Sequence, residues 1–268
     1  MTTLLLTGLM LDLCSKNNSK HQHMTANKAR FVEIDILRSL AIIGMVLYHL
    51  LFDLVIIFSF RIPVTSGFLD FFAKSIATTF LLLVGISAVI NYERQFVDTN
   101  TKLLLQIKRG FNILILAYLI SITTFFLFPY DYISFGILHL IGYSTILIFP
   151  FLYHKSTIIP LALSVALLFV SGVFLSLSSN NLLLIPFGIV PPNYASLDYF
   201  PIFPWFSIIL IGVVIGKIYY PWRKSKNYFV KVSKPLSILQ KISRRSLLIY
   251  LIHQPIMFPI LLLIKQIL

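Results

Sequence analysis

Residues 33–53 read EIDILRSLAIIGMVLYHLLFD, and the apolar run continues to Phe60. At ~1.5 Å rise per residue, the stretch from Ile36 to Phe60 is long enough to cross a ~30 Å hydrocarbon core as one helix. Three ionisable side chains interrupt it: Arg38, His49 and Asp53. Such groups are expensive in lipid, so each needs a partner or a task. Arg38 and His49 stand three turns apart, within ~20° of one face. Asp53 follows one turn later on the same face. The three residues therefore form a stripe that faces protein. A carboxylate one turn from an imidazole can orient it and raise its basicity. Arg38, close to the helix start, suits an anionic ligand. The same stripe could equally hold two helices together.

The rest of the chain agrees with a membrane setting. Of 268 residues 58% are apolar and 12% charged, and the mean hydropathy is +0.90. A soluble domain is about 45–50% apolar and about 25% charged, so a soluble globule and a disordered chain are both excluded. Seven stretches have spanning length or close to it: 36–60, 72–90, 110–128, 133–152, 157–177, 203–220 and 246–267. The expected fold is an all-α polytopic bundle of about seven transmembrane helices in one domain over 31–268, located in the cell membrane. Residues 1–30 are expected to be a disordered tail or an over-extended start. The single cysteine, Cys14, excludes an intramolecular disulfide and a Cys-based zinc site, and no metal is expected.

Charge sets the expected orientation. Lys and Arg number 22 against 9 Asp and Glu, a net +13. They concentrate on alternate loops: Lys16, Lys20, Lys28 and Arg30; Arg94, Lys102, Lys108 and Arg109; Lys155; then the run from Arg223 to Arg245. The intervening loops carry Arg61 alone. By the positive-inside rule the N-terminus is cytoplasmic and the C-terminus external. The basic excess is thus a topology signal beside anionic lipid, not a nucleic-acid footprint.

Three further groups carry polar chemistry. His139 lies in the fourth stretch between Gly136 and Gly142, which permit close helix approach. Asp198 opens the segment Asp198-Tyr199-Phe200-Pro201-Ile202-Phe203-Pro204-Trp205-Phe206, a stiff aromatic entry to the sixth span that suits an interfacial anchor; Asp198, the only acidic residue in 132–268, is a candidate substrate contact. The last span begins Arg244-Arg245-Ser246 and reaches His253-Gln254-Pro255 two turns in, where Pro255 frees a backbone carbonyl. Gly212 and Gly216 have the small-xxx-small spacing of a packed helix face. No Walker A motif, dinucleotide loop, His-Glu-x-x-His or nucleophile elbow occurs.

Taken in order, Glu33 to Asp53, Phe80 to Ser87, Arg109-Gly110, Phe135 to Gly142, Asp198 to Phe206 and Ser246 to Pro255 resemble the catalytic-domain family of heparan-alpha-glucosaminide N-acetyltransferase, within the membrane acyltransferases that modify surface sugars. The Arg38 to His49 spacing is similar to the first-helix motif of that superfamily. The resemblance covers about residues 30–258. It implies acetyl transfer across the membrane, with acetyl-CoA as donor from the cytoplasm and an amine or hydroxyl of a sugar or glycolipid as acceptor outside. Seven spans are fewer than the animal enzyme has, so the implied acceptor is a cell-surface or lipid-linked sugar rather than heparan sulfate. In this frame His49 is the general base, or an acyl carrier, and Asp53 orients it. Arg38, Arg244, Arg245, His253 and Gln254 form the donor side, and His139, Asp198 and Trp205 shape the acceptor side. Membrane lipid is a partner, and a homo-oligomer is compatible with the sequence. Two other readings remain: a proton-coupled transporter or flippase using His49 and Asp53, and an assembly protein whose stripe meets a partner chain.

Overall fold

The computed structural model describes residues 31–225 and 234–267; the expected tail over 1–30 lies outside them. Among the described residues the protein is helical, with no strand and two isolated bridges, Phe135 with Tyr199 and Ser178 with Val190. The helices are α1 Val32–Phe58, α2 Gly67–Glu93, α3 Thr99–Leu127, α4 Ile137–Leu147, α5 Phe149–Tyr153, α6 Ile158–Ser176, α7 Ile202–Ser225, α8 Lys234–Arg244 and α9 Ser246–Ile267. A short 3₁₀ turn, Leu182–Phe187, precedes α7. Six of these helices (α1, α2, α3, α6, α7 and α9) are long and apolar enough to cross a membrane. The protein is a multi-pass membrane protein.

The fourth expected span, 133–152, is not one crossing helix. It divides into α4 and α5 at Ile148. Pro150 in the first turn of α5 lacks the N–H that would bond back to the preceding turn, and its ring clashes with that turn's carbonyl. The short α4 survives because it lies inside the bundle. Leu138, His139, Leu140, Ile141 and Gly142 in succession are all buried, so the first half of it is surrounded by protein, and Leu147 at its end is exposed.

α2, α4 and α7 enclose the main core, built on Leu81, Leu140, Ile148, Ile209, Leu210 and Val213. The outward faces are apolar too, as on α3 (Phe126) and α6 (Phe169), because lipid replaces water there. With no hydrophobic force between helices in lipid, close packing has to join them. At the α2–α7 crossing the backbones touch. A Cβ on Gly85 would stand 2.2 Å from the Ile209 carbonyl oxygen, and one on Gly212 would stand 2.3 Å from that of Leu82. Gly110 and Gly142 do the same for α3 and α4, with a Gly110 Cβ 2.8 Å from the Gly142 oxygen.

The two ends of the bundle differ. At one end the α1 start meets the ends of α2 and α7. Arg94 lies 4.5 Å over the Phe31 ring, and Arg223 pairs with Glu33, which also accepts from Tyr219. Lys102, Lys155, Lys224 and Lys241 belong to helix ends or turns on this side. At the other end the loop before α7 folds over α3 and α4, through Leu197 N–H to Asp131 O at 2.8 Å and Phe200 N–H to Phe135 O at 3.0 Å.

The glycine crossings give a paired expectation. Gly85→Ala forces α2 off α7 and should lower bundle stability by about 3 kcal/mol, the upper range for overpacking. Gly172→Ala, with open space around its Cβ, should leave the melting temperature in detergent unchanged.

Candidate active site

Helix α1 runs continuously from Val32 to Phe58, so its polar stripe is straight. The stripe turns inward, onto α8 and α9 on one side and α2 on the other. At the first level Ser243 of α8 donates to Asp35 Oδ1 at 2.8 Å, and Ser39 donates to the Asp35 and Leu239 carbonyls. Arg38 donates to Ser87 Oγ on α2 and to Ser243 Oγ at 3.5 Å. At the second level His49 Nδ1 lies 3.1 Å from His253 Nε2, with ring centroids 4.9 Å apart. At the third level, one turn on, Gln254 Nε2 donates to Asp53 Oδ1 at 3.3 Å. Asp53 is held by Gln254, while the imidazole one turn before it meets His253.

The histidine pair has a defined proton order. His253 Nδ1 lies 2.7 Å from the Tyr250 carbonyl oxygen, which can only accept. His253 Nδ1 therefore carries the hydrogen, and Nε2 of the neutral ring is an acceptor. The short contact to His49 then requires His49 Nδ1–H to donate. In a neutral pair this order leaves the His49 Nε2 lone pair for a proton acceptor's role, the arrangement a general base needs.

Beside Arg38 the four helices α1 to α4 enclose a cavity of about 380 Å³. Arg38, Ser87, Asn91, Gln106, Arg109 and Thr145 are among its lining residues, which include two guanidiniums and no carboxylate. Gln106 Nε2 donates to the Thr145 carbonyl at 2.9 Å. The Asn91 and Gln95 amide oxygens, oriented to satisfy both side chains, accept from the Arg109 guanidinium, Gln95 at 3.0 and 3.1 Å. Neutral amides aim the guanidinium without cancelling its charge. Such a lining has the chemistry to receive an anion, since a guanidinium donates in parallel to a carboxylate or phosphate.

Tyr250, one turn before His253, points to the third group. Its hydroxyl lies 3.5 Å from Asp198 Oδ2, which accepts the Ile137 N–H at 2.9 Å and so caps α4. The carboxylate packs against Gly136, where a Cβ would stand 2.3 Å from Oδ2. Burial pushes the Asp198 carboxyl up to about 6, opposed by the Ile137 N–H and the Tyr250 hydroxyl. His139, 1% exposed, accepts the Gly136 N–H at Nδ1 (3.2 Å) and meets Ser121 Oγ at Nε2 (3.3 Å). Both of its nitrogens are engaged, and Phe135 and Tyr118 cover its ring. Trp205 packs on Phe200 with centroids 4.8 Å apart, at the edge of the main core.

The structure therefore joins Arg38, His49, Asp53, His253 and Gln254 along one face, with Asp198 and His139 together at its outer end. Arg244 and Arg245 are exposed at the α8–α9 break and do not line the cavity. Arg109 is the cavity's second cation instead. The sequence reading placed it in a loop because hydropathy rises only after Gly110. The helix begins at Thr99, with Asp98 accepting the Thr101 N–H at 3.0 Å, so Arg109 sits ten residues inside it. The three-residue spacing of Gln106, Arg109 and Asn112 was the signal. Tyr250 left no such trace. Among the described residues, no three or more His, Cys, Asp or Glu side chains gather as a metal site.

A family model described as heparan-alpha-glucosaminide N-acetyltransferase, catalytic, matches residues 30–255. The chain belongs to that family. All of the residues above fall within the matched range. No curated protein and no solved structure matches the chain. As a heparan-alpha-glucosaminide N-acetyltransferase-like catalytic domain, the chain has an acetyltransferase-type membrane scaffold with a half-buried histidine pair within its helices.

The Asp198 shift has a defined sign. The folded protein holds this proton more tightly than the unfolded chain does, so the contribution to stability is full below about pH 4. It is lost as pH rises through about 6. Wild type should lose melting temperature across that window relative to Asp198→Asn, and matched thermal melts from pH 4 to 7 will read the difference.

Proposed function

We propose that this protein transfers an acetyl group from acetyl-CoA, met from the cytoplasmic side, to an amine or hydroxyl of a cell-surface or lipid-linked sugar. The basic end of the bundle is the cytoplasmic end in this reading, by the positive-inside rule. The observation that carries the proposal is the contact of His49 Nδ1 with His253 Nε2 at 3.1 Å, on the helix face shared with a two-arginine cavity.

The residues fit the donor. Arg38 and Arg109 would hold its phosphates, and the exposed Arg244 and Arg245 would raise anion concentration at that end. Arg38 and His49 are eleven residues apart, about 16 Å along the helix, a length that an extended pantetheine arm can bridge. The bound donor supplies a thioester carbonyl beside His49. His49 Nε2 takes the proton from the acceptor nucleophile as the new bond to carbon forms. As the C–S bond breaks, the imidazolium returns that proton to the sulfur, so protons and electrons balance. His253 is a positioning residue: it fixes the tautomer and shares the positive charge that develops on His49. Asp198 and Trp205 would lie toward the acceptor end, with the buried His139 supporting the Gly136 turn there. The stripe pairs within one chain, which favours a site over a docking face for a partner helix.

The test is CoA release by the purified protein in detergent with a panel of sugar acceptors. His49→Ala should lose turnover by about 10²–10⁴-fold, the range for a general base, with acetyl-CoA binding retained. Arg109→Gln should raise KM for acetyl-CoA about tenfold or more, as loss of a charge-assisted hydrogen bond does, and weaken its salt dependence. Failure of folded wild type to bind acetyl-CoA would end this reading.

A further inference from the structure

Helix α8 reverses the usual polarity of a bundle helix. Its buried residues are polar, Gln240 and Ser243. That inward face is committed to α1: Ser243 donates to Asp35, Ser39 to the Leu239 carbonyl and Arg38 to Ser243. The outward face carries Ile238, Lys241 and Arg244, which recur every three residues and so share one side of the helix. All three are exposed, as is the adjoining Arg245. Among the described residues the side chains of Lys241, Arg244 and Arg245 make no hydrogen bond or ion pair. No Asp or Glu follows Asp198 in the chain. The carboxylates at the start of α1 are engaged elsewhere, Asp35 with Ser243 and Glu33 with Arg223 and Tyr219. Three clustered cations thus stand outside the bundle without compensation.

The next helix sets the height of this patch. α9 has 22 residues, Ser246 to Ile267. At ~1.5 Å per residue it is just long enough to cross a ~30 Å hydrocarbon core. Its first residue therefore stands at the hydrocarbon boundary, with the exposed Leu247 and Leu248 among acyl chains. Arg244 and Arg245 come immediately before it, at the level of the lipid phosphates. Charges that only set topology can lie anywhere in an aqueous loop. These are fixed at one height, on the outer side of the helix whose inner side holds Arg38. Zwitterionic headgroups bring a cation with each phosphate and leave the patch uncompensated. Anionic headgroups compensate it, each cation near a charged surface being worth about fivefold in binding. We propose that the outer face of α8, with Arg245, docks on the phosphates of anionic lipids in the leaflet that α9 enters, and that this clamps α8 against α1. The headgroups hold α8 from one side, and its bonds to Asp35, Arg38 and Ser39 hold it from the other. Ser243 then keeps its place beside Arg38, so the lipid steadies one of the two guanidiniums of the anion cavity.

The experiment uses the full chain in nanodiscs of phosphatidylcholine alone and of phosphatidylcholine mixed with phosphatidylglycerol. Hydrogen exchange over residues 234–244 and the melting temperature are read in both, without acetyl-CoA, so the outcome does not depend on transferase activity. In the anionic discs wild type should exchange over 234–244 at least about fivefold more slowly, the weight of one cation at a charged surface, and should melt higher. The triple variant Lys241→Gln, Arg244→Gln, Arg245→Gln should exchange alike in both discs. The pair Arg244→Lys and Arg245→Lys keeps the charge, should retain the difference, and covers the case in which the neutral variant does not fold. Lys224→Gln, which removes an exposed cation at the end of α7, should also retain it. Inorganic phosphate added to the neutral discs should not reproduce it. Equal exchange of wild type in the two discs overturns the proposal, and so does a difference that survives the triple substitution. Loss of the difference in Lys224→Gln also overturns it, because surface charge at large would then suffice. If the triple variant raises KM for acetyl-CoA and wild type shows no lipid effect, the arginines steer the donor and dock no lipid.

Discussion

A charged or polar side chain in the middle of a membrane helix has to find its hydrogen bonds inside the protein, because lipid offers none. Helix α1 poses that demand at successive levels, and the α8–α9 pair answers each one. Ser243 takes Asp35, His253 takes His49 and Gln254 takes Asp53. The rest of the bundle is built around this seam. α2 lies on the other flank of the stripe, where Ser87 takes Arg38. α7 is locked to α2 through glycines. Hydrogen bonds define which faces of α1 and α9 meet, and close glycine contacts hold the remaining helices in the arrangement that keeps those faces dry.

The break between α8 and α9 belongs to the same solution. Arg245 N–H bonds to Ile242 O at 3.0 Å and Ile249 N–H to Arg245 O at 2.9 Å, so the turn there is tight and the chain changes direction at once. α8 can then bury Gln240 and Ser243 against the start of α1, while α9 sets its own angle for Tyr250, His253 and Gln254. These three, within five residues, reach two different elements: the loop before α7, and two successive turns of α1. A displacement of α9 would disturb all three contacts together. That couples the loop before α7 to the histidine pair through one helical turn.

Much of this was legible in the sequence, for identifiable reasons. Spans of 18 or more apolar residues with charges on alternate loops have few other solutions, and five of the six crossing helices match the expected stretches within a few residues at each end. The α1 stripe was readable because eleven and four are helical spacings. The exception, α3, begins well before its apolar run, since Asp98 caps a polar first turn, and that hid Arg109. The α4–α5 break was hidden because an apolar run looks the same whether it crosses lipid or is buried whole. Pairings between distant segments were out of reach. Spacing places Asp53 beside His49, yet the choice of Gln254 as its partner depends on the angle at which α9 crosses α1, which no local pattern encodes.

The polar stripe changes character along its length. Arg38 shares the basic end with the buried Asp35 and with Arg109, the imidazole pair sits in the middle, and the carboxylates of Asp53 and Asp198 lie beyond it. A polar stripe serving adhesion alone would gain most from opposite charges paired at each level. Here the carboxylates beyond the histidines are matched to neutral partners, an amide and a phenol with a backbone N–H.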